Sequence, residues 1–156
     1  MAMVSFQASS RLAIPADEFL RAISLRQVNF ELAPWVRMTG PASMQDTNIR
    51  EWPVRQRLFT SWILLFGVLP VDLHWFFLES VDPSKGFHEH SSSVVNRTWL
   101  HIRVVEPSPG RGCTVTDSVS FESRVPGLGY IMRPIYRLVF QSRHTRLRRK
   151  HGLVVA

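Results

Sequence analysis

The sequence contains a single cysteine, Cys113, among 156 residues. One thiol cannot close an internal disulfide, so we expect a reducing compartment and a cytoplasmic protein. Cys113 follows the loop PSPGRG, and no general base flanks it in the sequence. We therefore interpret Cys113 as a structural residue and not as a nucleophile.

A long uninterrupted hydrophobic run is also missing. The most apolar stretch, WILLFGVLPVDLHWFFL at 62–78, carries Pro70, Asp72 and His74 near its middle. These residues break a membrane span and favour two strands joined by a tight turn. The first residues, MAMVSFQASSR, have no basic region followed by an apolar run, so we expect no signal peptide.

Motifs for nucleophilic catalysis and phosphate binding are absent from the sequence. It has no Gly-x-Ser-x-Gly, and the glycines of VPGLGYI are not followed by the rest of a phosphate-binding loop. His88 and His90 would share one face of a strand, but no cysteine or third histidine stands at ligand spacing. We therefore expect neither a metal site nor a cofactor.

Acidic residues are missing from the C-terminal segment. The chain has 19 Lys and Arg against 12 Asp and Glu, a net charge of +7. Seven of these basic residues lie between Tyr130 and His151, where no acid occurs, so the other 12 are balanced by all 12 acids. The excess charge therefore belongs to one segment, whose densest part is RHTRLRRK at 143–150.

Three interpretations of this basic stretch remain open. It could bind nucleic acid, contact an anionic membrane, or form the solvent-facing side of a helix whose cationic end complements the helix dipole. No base-reading motif accompanies it, so we do not expect nucleic-acid binding. We favour the solvated helix face, with a weak anionic-membrane contact as the secondary expectation.

Hydrophobic periodicity predicts the order of the elements. Met3–Ala13 alternates as a strand, and two short helices follow in IPADEFLRAISLR and NFELAPWVRM, the second broken or turned at Pro34 and including Trp35. Ile49–Trp52 is predicted as an edge strand. Further strands are predicted at Arg57–Gly67, Pro70–Val81, Phe87–Val95, Arg97–Glu106 and Cys113–Glu122.

The last element, from about Pro126 to Lys150, is predicted as a long amphipathic helix. Apolar residues recur at three- and four-residue spacing, and the arginines fall mostly between them: Leu128, Ile131, Met132, Ile135, Leu138 and Val139. Pro134 predicts a kink or a later start. Because a curled antiparallel sheet with one apolar face must be covered, we predict an α+β fold in one domain, 1–156, with this helix packed on the sheet. Six or seven strands would wrap round the helix and leave a cavity.

The hairpin at 97–122 carries the candidate polar site. Pairing residue 104 with 114 places His101 opposite Asp117. One face then carries Trp99, His101, Arg103, Val115, Asp117, Val119 and Phe121. Such a face suits a ligand pocket with a few polar anchors, and Trp62, Trp75, Ile135 and Val139 are further candidates for its wall. Alternatively, the ion pair lies outside the sheet, with Leu100, Ile102 and Val104 inward.

The stretch RTWLHIRVVEPSPGRGCTVTDSVSFESRVPGLG, followed by YRLVFQSRHTRLRRKHG, resembles the SRPBCC or START-like helix-grip superfamily. Its small bacterial ligand-binding members show a Trp-x-His on one strand, an Asp on the next and an Arg-His pair in the last helix. The matching residues here are Trp99, His101, Asp117, Arg143 and His144. The element order matches over nearly the whole chain, and the motifs cover 97–151. The resemblance implies a deep pocket for a hydrophobic small molecule, without implying a reaction.

We therefore expect a carrier or sensor that binds a hydrophobic small molecule, lipid-like or aromatic, between the sheet and the last helix. One alternative is an enzyme like the polyketide cyclases and aromatases, in which His101 would transfer protons. The other is a basic helix that binds an anionic membrane or nucleic acid. The sequence decides neither the ligand nor the oligomeric state.

Overall fold

The computed structural model describes residues 3–152 and contains one curled sheet of seven antiparallel strands in the order β1-β7-β6-β5-β4-β3-β2. The strands are β1 Val4–Leu12, β2 Val36–Met38, β3 Arg57–Leu65, β4 Leu69–Asp82, β5 Gly86–Ser93, β6 Asn96–Ser108 and β7 Gly112–Ser123. The helices are α1 Ala16–Arg21, α2 Leu25–Leu32, α3 Ala42–Gln45 and α4 Leu128–His151, with a 3-10 helix at Ile49–Glu51. The predicted helix-grip fold is confirmed.

Alternation along β7 explains why this sheet has one buried face. Burial switches at nearly every residue of the strand, and Val115, Val119 and Phe121 turn to the inside together with Asp117. Asp117 is completely buried and therefore occupies a core position that an apolar residue would normally take. The strand that builds the core thus also carries a buried charge.

The register predicted for the β6–β7 hairpin was wrong by two residues. The structure pairs Val104 with Thr116, His101 with Val119 and Arg103 with Asp117. The difference arises at the hairpin loop, where pairing ends at Ser108 and Gly112. A two-residue shift preserves the alternation of faces, so the residues predicted to share one face still share it.

The segment between β1 and β3 differs most from the sequence prediction. Residues 49–51 form a 3-10 helix and not an edge strand, because the Asn48 side chain accepts a hydrogen bond from Arg50 N (3.0 Å). The Asn48 amide also donates to Leu20 O (3.0 Å) and so ties the segment to α1. Trp35 lies beyond the end of α2 and directly before β2, a short strand that the sequence did not suggest.

Helix α4 starts at Leu128, after Gly127 with φ 81°, so Pro134 lies within the helix and does not delay its start. Its buried face was only partly predicted. Ile131 and Leu138 are 64% and 65% exposed. The residues that α4 buries are Gly129, Phe140, Arg143, His144 and Leu147. None of the helices within 3–152 combines the length and the apolar character that a bilayer crossing requires.

Candidate functional site

A cavity of about 250 Å³ lies between the concave face of the sheet, α2 and α4. Its wall is mainly apolar, and includes Leu32, Met38, Trp52, Phe76, Trp99 and Phe140. A smaller set of polar side chains also reaches it: Asp72, His74, Glu89, Asn96, His101, Tyr136 and Arg143. A concave apolar space with a few polar groups is the usual character of a small-molecule site.

The predicted site residues fall into three groups in the structure. Trp99, His101, Ile135 and Val139 line the cavity. Four others are buried on the same face of the sheet but do not line the cavity: Arg103, Asp117, Val119 and Phe121. His101, Arg103 and Asp117 therefore lie on the inner face and not on the exterior of the sheet.

The third group, Trp62 and Trp75, is separate from the cavity. Trp62 is 50% exposed, whereas its neighbour Ser61 is completely buried. Trp75 lies under the guanidinium of Arg57, with 5.8 Å from Cζ to the ring centre, while His74 lines the cavity. Strand alternation explains both positions, because successive side chains of β3 and β4 point to opposite faces.

Asp117 is the centre of a buried hydrogen-bond network. Its Oδ1 accepts from Arg103 Nε (2.8 Å) and His101 Nε2 (2.7 Å), and its Oδ2 accepts from Arg103 Nη2 and His144 Nε2 (both 2.8 Å). Burial alone would raise the pKa of Asp117, but the charge and hydrogen bonds of Arg103 hold it well below its usual range. Asp117 is therefore a carboxylate with four donors.

Glu31, near the end of α2, is a second buried carboxylate beside this network. It accepts from Arg103 Nη2 (2.7 Å) and Nη1 (3.1 Å), and from Arg143 Nη2 (3.0 Å). Burial opposes ionisation, but the charges of Arg103 and Arg143 outweigh it and lower the pKa of Glu31. Arg103 is thus held between two carboxylates, which satisfies most of its donors.

A third carboxylate, Glu89 on β5, connects the network to the cavity. Its Oε1 accepts from His74 Nε2 and Ser91 Oγ, both at 2.7 Å, and its Oε2 lies 3.5 Å from His101 Nδ1. Burial would raise the pKa of Glu89, but hydrogen bonds from His101 and His74 lower it to about 2. Both ring nitrogens of His101 therefore face carboxylates.

Part of the basic stretch of α4 is directed inward. Arg143 and His144 are 4% and 2% exposed and bond to Glu31 and Asp117. Arg146 and Lys150 lie over the ring of Phe30, at 4.5 and 4.6 Å. The expected solvated face was therefore wrong for Arg143, and both Arg143 and His144 turn inward because they pair with acids buried elsewhere in the chain.

His88 and His90 lie on the exposed face of β5, opposite to the buried Glu89 between them. In the described range 3–152, no cluster of three or more His, Cys, Asp or Glu side chains could hold a metal ion.

Sequence reasoning missed Glu31 and did not assign Glu89 to the site. Glu31 had no local signal, because its partners lie 72 and 112 residues away. Glu89 could have been found, since strand alternation turns it away from His88 and His90 and therefore inward. Asn96 and Tyr136, whose side chains are joined by a 2.9 Å hydrogen bond, also line the cavity, and nothing in the sequence indicated Asn96.

Solved structures with the same fold span nearly the whole chain. A START superfamily protein from Mycobacterium smegmatis has a TM-score of 0.59 at 7% identity, with 94% of this chain and 97% of that chain covered. Ara h 8.0201 has a TM-score of 0.56 at 10% identity, with 94% and 98% covered. These identities show the shared fold alone.

A further similar structure is DynU16, from the dynemicin biosynthetic locus. Its TM-score is 0.57 at 11% identity, and the match covers 97% of this chain but 49% of that one. Together these structures confirm the SRPBCC or START-like helix-grip fold suggested by the sequence.

No curated protein matches the chain in sequence. One family does match, over residues 10–151, and its description is a domain of unknown function, DUF8410. The matched range runs from β1 to the end of α4 and includes every charged residue of the buried network. The chain therefore belongs to the DUF8410 family and has a helix-grip fold.

Proposed function

We propose that the chain, acting as one domain, is a carrier or sensor for a hydrophobic small molecule, lipid-like or aromatic. The observation that carries this proposal is the apolar cavity of about 250 Å³ between the sheet and α4. Transfer of a ligand's apolar surface from water would drive binding, at about 25 cal/mol per Å² before ordering costs. The buried network beside the cavity supports the wall and gives it a few polar anchors.

A second candidate is an enzyme that uses the same cavity, in the manner of a polyketide cyclase or aromatase. His101 favours this candidate, because it lines the cavity and lies between the carboxylates of Asp117 and Glu89. A histidine held in this way could donate a proton to a bound carbonyl or accept one from the adjacent carbon. Turnover that is lost in His101→Gln, while ligand binding is retained, would favour the enzyme.

A third candidate, an interaction through the basic helix, has less support. Arg143 and His144 are occupied by buried carboxylates, so fewer cations remain for an external anion. A weak contact of the remaining cations with an anionic membrane stays a proposal. Such a contact would require binding to anionic vesicles that disappears at high salt.

The first experiment is native mass spectrometry of the purified protein, followed by solvent extraction. An additional mass of a few hundred daltons that is lost on denaturation would identify a bound ligand. Val139→Trp places a large ring in the cavity wall and should remove that mass, whereas Leu138→Trp, at a site 65% exposed, should retain it. Equal ligand loss in both variants would contradict the proposed cavity.

A further inference from the structure

Two buried polar atoms at the cavity have no hydrogen-bond partner within residues 3–152. One is Arg143 Nε, on a side chain that is 4% exposed, and the other is Asn96 Oδ1, on a side chain that is 3% exposed. Both residues line the cavity. A buried polar atom without a partner destabilises a fold by roughly 1–3 kcal/mol, so unpaired groups in native structures commonly mark a site where a ligand or water supplies the partner.

The two unpaired atoms require different groups from a ligand, because one is a hydrogen-bond donor and the other is an acceptor. Arg143 directs Nη2 to Glu31 (3.0 Å), and its unpaired Nε is a donor that requires an acceptor oxygen. Asn96 directs Nδ2 to Tyr136 Oη (2.9 Å), and its unpaired carbonyl oxygen requires a donor. A ligand that satisfies both therefore needs one acceptor and one hydroxyl or amine hydrogen.

The spacing along α4 indicates that the two unpaired atoms lie in different parts of the cavity. Tyr136, which holds Asn96, and Arg143 are seven residues apart on the helix. Two helical turns span roughly 10 Å, and Phe140 lies between them in the cavity wall. The ligand would therefore carry its two polar groups at separate positions of an otherwise apolar skeleton.

The charges around the cavity favour an uncharged ligand. Arg143 is already paired with Glu31, and Arg103 with both Glu31 and Asp117. Two further carboxyl groups, Glu89 and Asp72, line the cavity itself. An anionic ligand would meet these acids in a space of low dielectric, where like charges repel strongly. A carbonyl oxygen can accept from Arg143 without adding charge.

From these contacts we infer that the site binds an uncharged apolar molecule whose carbonyl oxygen accepts a hydrogen bond from Arg143 Nε and whose hydroxyl group donates to Asn96 Oδ1. This inference rests on the proposed function, because it assigns a chemical class to the ligand of the same cavity.

The test uses a matched series of probes and titration calorimetry. The main probe is 4-hydroxychalcone, which is uncharged and carries a carbonyl and a hydroxyl on separate parts of its skeleton. Chalcone lacks the hydroxyl, 4-hydroxystilbene lacks the carbonyl, and 4-carboxychalcone adds a negative charge. The full chain should bind 4-hydroxychalcone about tenfold more tightly than each of the other three, as one net hydrogen bond implies.

Two variants assign the hydroxyl contact to its atom. Asn96→Leu removes the acceptor and should abolish the preference for 4-hydroxychalcone over chalcone. Leu138→Ala is the control, because Leu138 is 65% exposed and lies outside the cavity lining. The preference should persist in Leu138→Ala. If Asn96→Leu does not fold, the comparison of probes on the unchanged protein still decides the inference.

Failure of the inference can be distinguished from failure of the proposed function. Equal affinity for all four probes, or tighter binding of 4-carboxychalcone, overturns the uncharged two-group ligand and leaves cavity binding intact. If none of the probes binds but native spectra show a co-purified mass, the two-group ligand is likewise overturned and cavity binding is retained. Probe binding that is unaffected by Val139→Trp would instead contradict the cavity, and both proposals with it.

Discussion

Glu31 on α2 accepts two hydrogen bonds from Arg103 on β6, although 72 residues separate them in the chain. Both side chains are almost completely buried, at 1% exposure each. Arg143 on α4 shares the same carboxylate, so one acid connects two helices and the sheet. The pairing holds Arg143, at the start of the basic stretch, against the interior.

Replacement of Glu31 by Gln should strongly destabilise the fold. The change removes the charge that compensates Arg143 and part of Arg103, and breaking a buried ion pair typically costs about 3–5 kcal/mol. Urea denaturation measures the free energy of unfolding. Glu106→Gln, at an exposed position of β6, is the control and should stay within about 0.5 kcal/mol of the unchanged chain. Similar stability of both variants would mean that the cluster contributes little.

Stability should fall in acid because the buried carboxylates have lowered pKa values. Hydrogen bonds from His101 and His74 outweigh burial and bring the pKa of Glu89 to about 2, against 4.5 for the free side chain. The contribution of Glu89 is complete above pH 4.5 and is lost as the pH falls towards 2. We expect the free energy of unfolding to decrease through this window, and to decrease less steeply in Glu89→Gln. Identical pH profiles would contradict the role of Glu89.

A methyl group at Gly86 should disrupt the β5–β6 pairing. Gly86 has φ 144°, and a Cβ there would overlap the carbonyl oxygen of Arg103. We expect Gly86→Ala to lose roughly 3 kcal/mol, because both the backbone conformation and the contact are unfavourable. Gly67→Ala separates the two effects. Its φ is 77° with nothing within 4 Å of the added atom, so only about 1 kcal/mol should be lost. Thermal unfolding compares the two.

Cys113 should be inert in the folded protein. Its side chain is completely inaccessible, and burial raises the pKa of its thiol to about 11. Ellman's reagent at pH 8 should therefore label no thiol until guanidinium chloride is added. Ser43→Cys, which places a second thiol at an exposed position, should give one equivalent of rapid labelling. Rapid labelling of the unchanged protein would show that the Cys113 thiol is accessible and would contradict a purely structural role.

Period-two alternation was enough to predict most of the sheet. The strands between Arg57 and Ser123 begin and end within two residues of the predicted positions, because alternating apolar residues indicate which face is buried. The two-residue error in register left His101, Arg103 and Asp117 on one face, because only an odd shift would have separated them. The polar face of the hairpin could therefore be predicted without its correct pairing.

Contacts made by α2 and α4 could not be predicted in the same way. Glu31 lies on a short helix, and nothing local distinguishes it from a solvated acid. The helical stripe placed Ile131 and Leu138 inward, but both are more than 60% exposed, whereas Arg143 and His144 are buried. Hydrophobicity predicts that charged residues face water, and that rule fails where two opposite charges are buried together.

The two halves of α4 are held to the protein very differently. Phe140, Arg143, His144 and Leu147 anchor the second half, whereas Gly129 is the buried residue of the first. Local opening requires less free energy where fewer groups are buried, so the amides of 128–138 should exchange with deuterated water sooner than those of 140–151. The last helix is therefore anchored mainly through its second half. We expect a ligand to enter first through the space beside Met132 and Ile135.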